Sequence, residues 1–189
     1  AIPPLSSLNF NSELIVLKFD EFVQLKDLNN QFFMSPRTKT DPEIEADGRK
    51  VKVKLKKEEL KPNTTYRMFF GKAISDLNEG NAVKDFEYVF STGNNIDTLK
   101  LCGRIIHAFD GSETGECVIG FYSGRKRERD STIYKEYADH LTKSDEEGRF
   151  CMPNIGNGKF VVAAFADKNK NYKYDGESEQ LAFLDKEIE

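Results

Sequence analysis

Short apolar runs broken by turn residues recur along the whole chain. Lys50-Val51-Lys52-Val53-Lys54-Leu55 alternates with period two, so Val51, Val53 and Leu55 are expected to face a core and the lysines to face water. That is the pattern of a half-buried antiparallel strand. Residues Glu13 to Phe19, Gln31 to Ser35, Thr65 to Phe70 and Phe86 to Ser91 read as further strands, separated by Asp47-Gly48, Lys61-Pro62-Asn63 and Glu79-Gly80-Asn81. Turn chemistry of this kind between β-rich runs predicts a β-sandwich. The best helical stretch, Glu21 to Asn30, is short.

The apolar pattern stops at Ser91-Thr92-Gly93-Asn94-Asn95 and resumes at Leu99, which predicts two domains, 1–95 and 96–189. The second is expected to hold strands at 99–109, 117–123, 132–142, 149–152, 159–166 and 180–184. The expected fold class is therefore all-β, two consecutive β-sandwiches. The charged run Arg125-Lys126-Arg127-Glu128-Arg129-Asp130 has mixed sign and reads as a solvated hairpin loop.

Composition narrows the function classes. Of 189 residues, 28 are basic and 32 acidic, and the net −4 excludes nucleic-acid binding by bulk electrostatics. The first 95 residues are neutral, so the whole deficit lies in the second half. Fifteen Phe and seven Tyr suffice for packed cores. No apolar run reaches the roughly 18–20 residues of a membrane span. The chain opens on Ala1-Ile2-Pro3-Pro4 and not on Met, the expectation being a processed segment.

Cys102, Cys117 and Cys151 form no CxxC pair, which speaks against zinc and thioredoxin-like chemistry. Small strand residues are the expectation; an oxidising compartment would allow one disulfide and leave one thiol. His107 and His140 are the only histidines, and neither HExxH nor GxSxG occurs, so no catalytic residues are assigned.

Several motifs carry a resemblance. Phe19-Asp20-Glu21-Phe22-Val23, Ser35-Pro36, Leu60-Lys61-Pro62-Asn63-Thr64-Thr65-Tyr66, Ala73 to Asn81 and Phe90-Ser91-Thr92-Gly93 resemble the bacterial Ig-like domain first described in surface-layer proteins. Gly103, Asp145 to Phe150, Asn154-Ile155, Gly158-Lys159-Phe160 and Ala163 to Asp167 are similar to the transthyretin-like (prealbumin-like), carboxypeptidase-regulatory-like sandwich. The pairing resembles Ig-like cell-envelope proteins, often lipoproteins, of Gram-negative bacteria. It implies export to the periplasm or outer-membrane surface and a non-catalytic structural or interaction role. The implied partners are an envelope protein or a glycan, and a membrane is reached only through an anchor outside this segment. The anchoring cysteine of a lipoprotein is absent here, and the three cysteines match no motif of that family. The alternatives are a carbohydrate-binding module and an accessory domain of a secreted hydrolase.

The best chemical candidate is the loop Asp167 to Glu179. Asp167, Asn169 and Asn171 at alternate positions, the main-chain carbonyl of Lys173, Asp175 and either Glu177 or Glu179 could wrap one calcium ion. An EF-hand loop begins in this way, but Tyr172 replaces its turn glycine, Ser178 its twelfth residue, and β-like runs its helices. The resemblance adds a recurring Asp-x-Asn-x-Asn feature. Two readings stay open: a calcium-stapled hairpin, or a polar loop bonded to its own backbone with Lys168, Lys170 and Lys173 neutralising the acids. Asp76-Leu77-Asn78-Glu79-Gly80-Asn81 is a second oxygen cluster, read as turn chemistry. A sugar-stacking platform would draw on Tyr122, Tyr134, Tyr137, Tyr172 and Tyr174, of which only Tyr172 and Tyr174 fall in the loop.

Overall fold

In the computed structural model, which describes residues 1–123, 132–184 and 186–189, the chain is nearly all β and divides into two units, Ala1–Asp97 and Thr98–Glu189. The charged run from Arg125 to Asp130 lies outside the described residues.

The first unit carries β1 (Leu14–Lys18), β2 (Val23–Leu25), β3 (Phe33–Ser35), β4 (Glu43–Asp47), β5 (Lys50–Lys54), β6 (Thr65–Phe69), β7 (Ile74–Asp76) and β8 (Glu87–Ser91). They form antiparallel sheets in the orders β1-β5-β4, β3-β6-β8 and β2-β7. The period-two alternation of β5 buries Val51 and Val53 beside Ile15 and Leu17 of β1, facing Tyr66, Met68 and Phe90 in one core. On the outer face Lys52 meets Asp47 at 2.6 Å, and Lys54 lies 3.8 Å from Glu43. Strand β4 escapes the sequence reading because Glu43-Ile44-Glu45-Ala46-Asp47 buries little; pairing with the lysine face makes it a strand. The helical candidate Glu21 to Asn30 is instead β2 followed by one turn, α1 (Leu28–Gln31). Val23 packs into the core, and Gln24 Nε2 donates to the Asp76 carbonyl of β7 at 2.9 Å.

Arg67, buried in mid-strand, lies 5.7 and 5.9 Å from the ring centres of Phe33 and Phe69 and 3.8 Å from Glu87. Burial lowers the proton affinity of the guanidinium and raises that of the Glu87 carboxylate.

The second unit holds β9 (Leu99–Arg104), β10 (Val118–Ser123), α2 (Thr132–Lys135), β11 (His140–Lys143), β12 (Arg149–Ile155), β13 (Phe160–Phe165) and β14 (Leu181–Phe183). A four-stranded sheet, β11-β10-β13-β14, faces a two-stranded one, β12-β9. Ile119, Phe121, Val162 and Ala164 pack against Ile105, Met152 and Ile155 in its core. Pro153 interrupts β12, and the register with β9 shifts between Met152 and Ile155, because proline has no N–H for the ladder. Gly148 closes the β11–β12 turn at φ +77°, where a Cβ would lie 2.3 Å from the Ile105 carbonyl oxygen.

Two strand expectations are corrected. The segment 132–142 is α2 followed by β11, because Asp139 Oδ2 takes the Ser123 N–H at 2.8 Å and ends pairing along β10. The run 99–109 is a strand only to Arg104: Ile105 still bonds to Gly148, Ile106 bridges Glu113, and Asp110 accepts the Ser112 N–H in the turn between them. No helix among the described residues is long and apolar enough to cross a membrane.

Candidate functional site

The loop between β13 and β14 is folded by its own polar side chains. Asp167 accepts N–H bonds from Asn171 at 3.1 Å and Tyr172 at 2.7 Å, and Asn171 Oδ1 accepts from Lys173 at 2.8 Å. Asp175 Oδ2 accepts from the side-chain amides of Asn169 and, at 2.7 Å, Asn171. The structure thus brings Asp167, Asn169, Asn171 and Asp175 together.

Glu179 is a bolt. It is only 6% exposed, and its two oxygens accept the N–H groups of Lys168 and Asp175, each at 3.0 Å. One carboxylate therefore ties both ends of the loop to the start of β14. Glu179→Ala is expected to cost about 2–3 kcal/mol, the scale of two bonds to a charged acceptor partly replaced by water. Hydrogen exchange at the Lys168 and Asp175 amides reads this directly, and Glu179→Gln should recover about half, since the amide retains one accepting oxygen. Glu177 is exposed.

Two of the three loop lysines have other contacts: Lys168 donates to the Ser178 carbonyl, and the Lys173 ammonium lies 6.0 Å from the ring centre of Tyr137.

The five tyrosines do not form one exposed platform. Tyr172 and Tyr174 are loop residues, yet both rings are buried. Tyr174 packs on Phe165 of β13 at 6.2 Å, and Tyr172 lies under the Lys143 ammonium of β11 at 5.4 Å. The loop folds onto the outer face of the four-stranded sheet. This explains a tyrosine at φ +61°, in the left-handed region where glycine is the usual residue: its ring belongs to that small second core. Tyr122 is buried too, its hydroxyl pushed up to about 12 by burial, with Asp139 adding to the rise. Only Tyr134 (50%) and Tyr137 (41%) of the five rings stand exposed.

The second oxygen cluster is a capped turn. The Asp76 carboxylate accepts the N–H groups of Glu79, Gly80 at 3.1 Å and Asn81 at 2.7 Å, led by Glu79, and these bonds hold it below the usual aspartate range.

Of the two cysteine readings, the disulfide holds for Cys102 and Cys151 and the small buried residue for Cys117. Cys102 and Cys151, directly opposite each other in the β9–β12 ladder, form a disulfide on its exposed face. Ile105 N–H donates to Gly148 O in the same ladder, so by alternation the 102/151 pair is one whose own N–H groups point away from the partner strand. Sequence spacing hides this, because it does not reveal which strands are neighbours. Cys117 is free and buried, and burial raises its thiol, the reverse of an activated nucleophile.

Cys117 lines a cleft of about 700 Å³ with His107 and Thr114. His140 opens β11 and packs edge-on against Phe160 at 5.8 Å. A neutral thiol reagent is expected to label no cysteine of the native chain, Cys102 and Cys151 after reduction, and Cys117 only on unfolding; peptide mass mapping after each step checks this.

Among the described residues, no group of three or more His, Cys, Asp or Glu side chains is arranged to hold a metal ion. Neither a curated protein nor a solved structure matches the chain. The first unit, an antiparallel arrangement of three small sheets around an aromatic core, is similar to the bacterial Ig-like domain, whose family model matches residues 1–92.

Proposed function

We propose that the chain is a non-catalytic module of the bacterial cell envelope: an Ig-like sandwich followed by a transthyretin-like one, presenting loops and sheet edges to partner proteins, with calcium stapling the 167–179 loop. The observation that carries the non-catalytic reading is the location of the groups with displaced proton affinity. Arg67 and Tyr122 are buried in packed cores and Glu87 pairs with Arg67; Cys117 lines the cleft with His107, but burial raises its thiol, the reverse of an activated nucleophile. An active site would expose such groups in a cleft beside a partner base or acid. The Cys102–Cys151 disulfide supports export, since such bonds persist in oxidising compartments. The carbohydrate-binding alternative loses its platform with the burial of Tyr122, Tyr172 and Tyr174.

The calcium part rests on the donor set. Asp167, Asn169, Asn171 and Asp175 converge, and a rotation of the two amides, at the loss of the Asn171 and Lys173 N–H bonds that their oxygens accept, would turn those oxygens toward Asp175. Two carboxylates with amide and carbonyl oxygens make an all-oxygen set, which suits a hard cation and not zinc. The carbonyl of Lys173 would complete the set. Asp167 and Glu179 each already accept two N–H groups; Glu179 is the more deeply buried and serves as the bolt, and Glu177 is exposed.

Two assays test the reading. Incubation of the full chain with peptide, ester and glycoside substrates, with and without calcium, should give no turnover; turnover abolished by His107→Ala or Cys117→Ala would overturn it. Calcium titrated calorimetrically into the metal-free chain should show one site, absent in Asp167→Ala. A flat titration of the native chain removes the calcium part.

A further inference from the structure

The second sandwich is incomplete on one side. Its four-stranded sheet is faced by only two strands, and β9 has a neighbour, β12, along one edge alone among the described residues. Because Ile105 bonds to Gly148, alternation turns the main-chain N–H and C=O groups of Lys100, Cys102 and Arg104 outward from that free edge. Beside it lies an apolar cleft of about 400 Å³, lined by Leu101, Ile105, Ile119, Val162, Ala182 and Leu184. The cleft opens between β9 and the inner face of β13 and β14, and Phe183 and Leu184 at its rim are 69% and 51% exposed.

We propose that this edge and cleft receive an extended strand from a partner protein, joined to β9 as a third strand, with apolar side chains at alternate positions filling the cleft and acidic ones between them. The proposal rests on the reading of the chain as a non-catalytic interaction module and names its binding surface. A row of unpaired peptide groups selects a strand over a helix or a small apolar ligand, because only a strand returns both donors and acceptors at the spacing of β9.

Charge selects the partner's outer face. The solvent-side residues of β9 are Lys100, Cys102 and Arg104, and only Arg104 has a described ion pair, an exposed one to Glu113 at 3.3 Å. Antiparallel pairing with a second copy about Cys102 would set Lys100 opposite Arg104 of that copy, a like-charge contact that disfavours self-association. Acidic residues at those positions on a different chain are complementary. The six residues of β9 call for a strand of roughly five to six.

A library of random ten-residue peptides displayed on phage, selected against the full disulfide-linked chain, tests this. Enriched peptides should alternate apolar and acidic residues and compete with one another. Lys100→Pro removes an N–H that faces away from β12, so the β9–β12 ladder should survive while binding of a selected peptide falls at least tenfold. Ala182→Phe, which plugs the cleft from the opposite sheet, should weaken it similarly, and Lys100→Glu should favour basic over acidic peptides. Far-ultraviolet circular dichroism and melting temperature establish that each variant is folded; if Lys100→Pro does not fold, Ala182→Phe and Lys100→Glu decide. No enrichment, enrichment without alternation, or binding indifferent to folded variants overturns the proposal. A dimer in sedimentation velocity that these variants abolish would assign the edge to a second copy and likewise overturn it. The calcium titration and turnover assays do not involve β9, so they stand or fall separately.

Discussion

Removing the disulfide, by Cys102→Ser with Cys151→Ser, is expected to lower the stability of the second unit by about 4 kcal/mol. The bond joins positions separated by 49 residues, and closing a loop of that length in the unfolded chain accounts for this magnitude on the chain-entropy model. The enclosed segment contains β10 and β11, half of the four-stranded sheet, so opening it frees strands whose pairings are long-range. For a unit of this size the melting temperature should fall by about 20 °C. Hydrogen exchange at the amides of β10 and β13 reads the loss in that unit, and the amides of β6 and β8 serve as internal control. A loss below about 1 kcal/mol would show that the ladder stands without the link.

The second large effect belongs to the first unit. Phe90 is fully buried, and its ring centre lies 4.0 Å from Phe10, 5.3 Å from Tyr66 and 6.1 Å from Tyr88. Phe90→Ala is expected to cost about 3–5 kcal/mol, because β8 is held on both sides and the cavity cannot collapse. Strand β6 pairs with it, and the N-terminal segment joins it through a parallel bridge at Ser7. Phe90→Leu should cost less, about 1–2 kcal/mol, by keeping most of the volume. Guanidinium denaturation followed by tyrosine fluorescence measures both, since Tyr66 and Tyr88 report on the same core. Equal losses for the two substitutions would contradict a packing origin.

Strands with one wet face were readable from sequence, and those made by their neighbours were not. Strand β5 announces itself because lysines and valines alternate, and Val51 and Val53 are fully buried as that pattern requires. The acidic β4 carries no comparable burial, and its strand character comes from charge pairing with β5. Residues 132–142 are rich in Thr, Ile and Tyr, yet the carboxylate of Asp139 ends the pairing that such residues would favour. At the loop, the spacing of Asp167, Asn169 and Asn171 reads as a tight turn from composition alone. That Tyr172 and Tyr174 lie over a sheet is not readable, because local sequence does not say what lies beneath a loop. The same holds for the disulfide, whose partners meet only through the register of β9 and β12.

The carboxylates and amides of the 167–179 loop fold it, its tyrosines cover the outer face of the sheet, and Glu179 ties it to β14. A cation that joins Asp167, Asn169, Asn171 and Asp175 would bind the folded loop and not the unfolded chain, and so stabilise the unit by mass action. At a hundredfold excess over its dissociation constant this amounts to about 2.7 kcal/mol. Thermal unfolding of the full, disulfide-linked chain, in chelator and then in excess calcium, measures this coupling. Calcium is expected to raise the second unit's midpoint by about 10 °C or more and to leave Asp167→Ala unmoved; an identical midpoint in both conditions for the native chain would contradict a stabilising site.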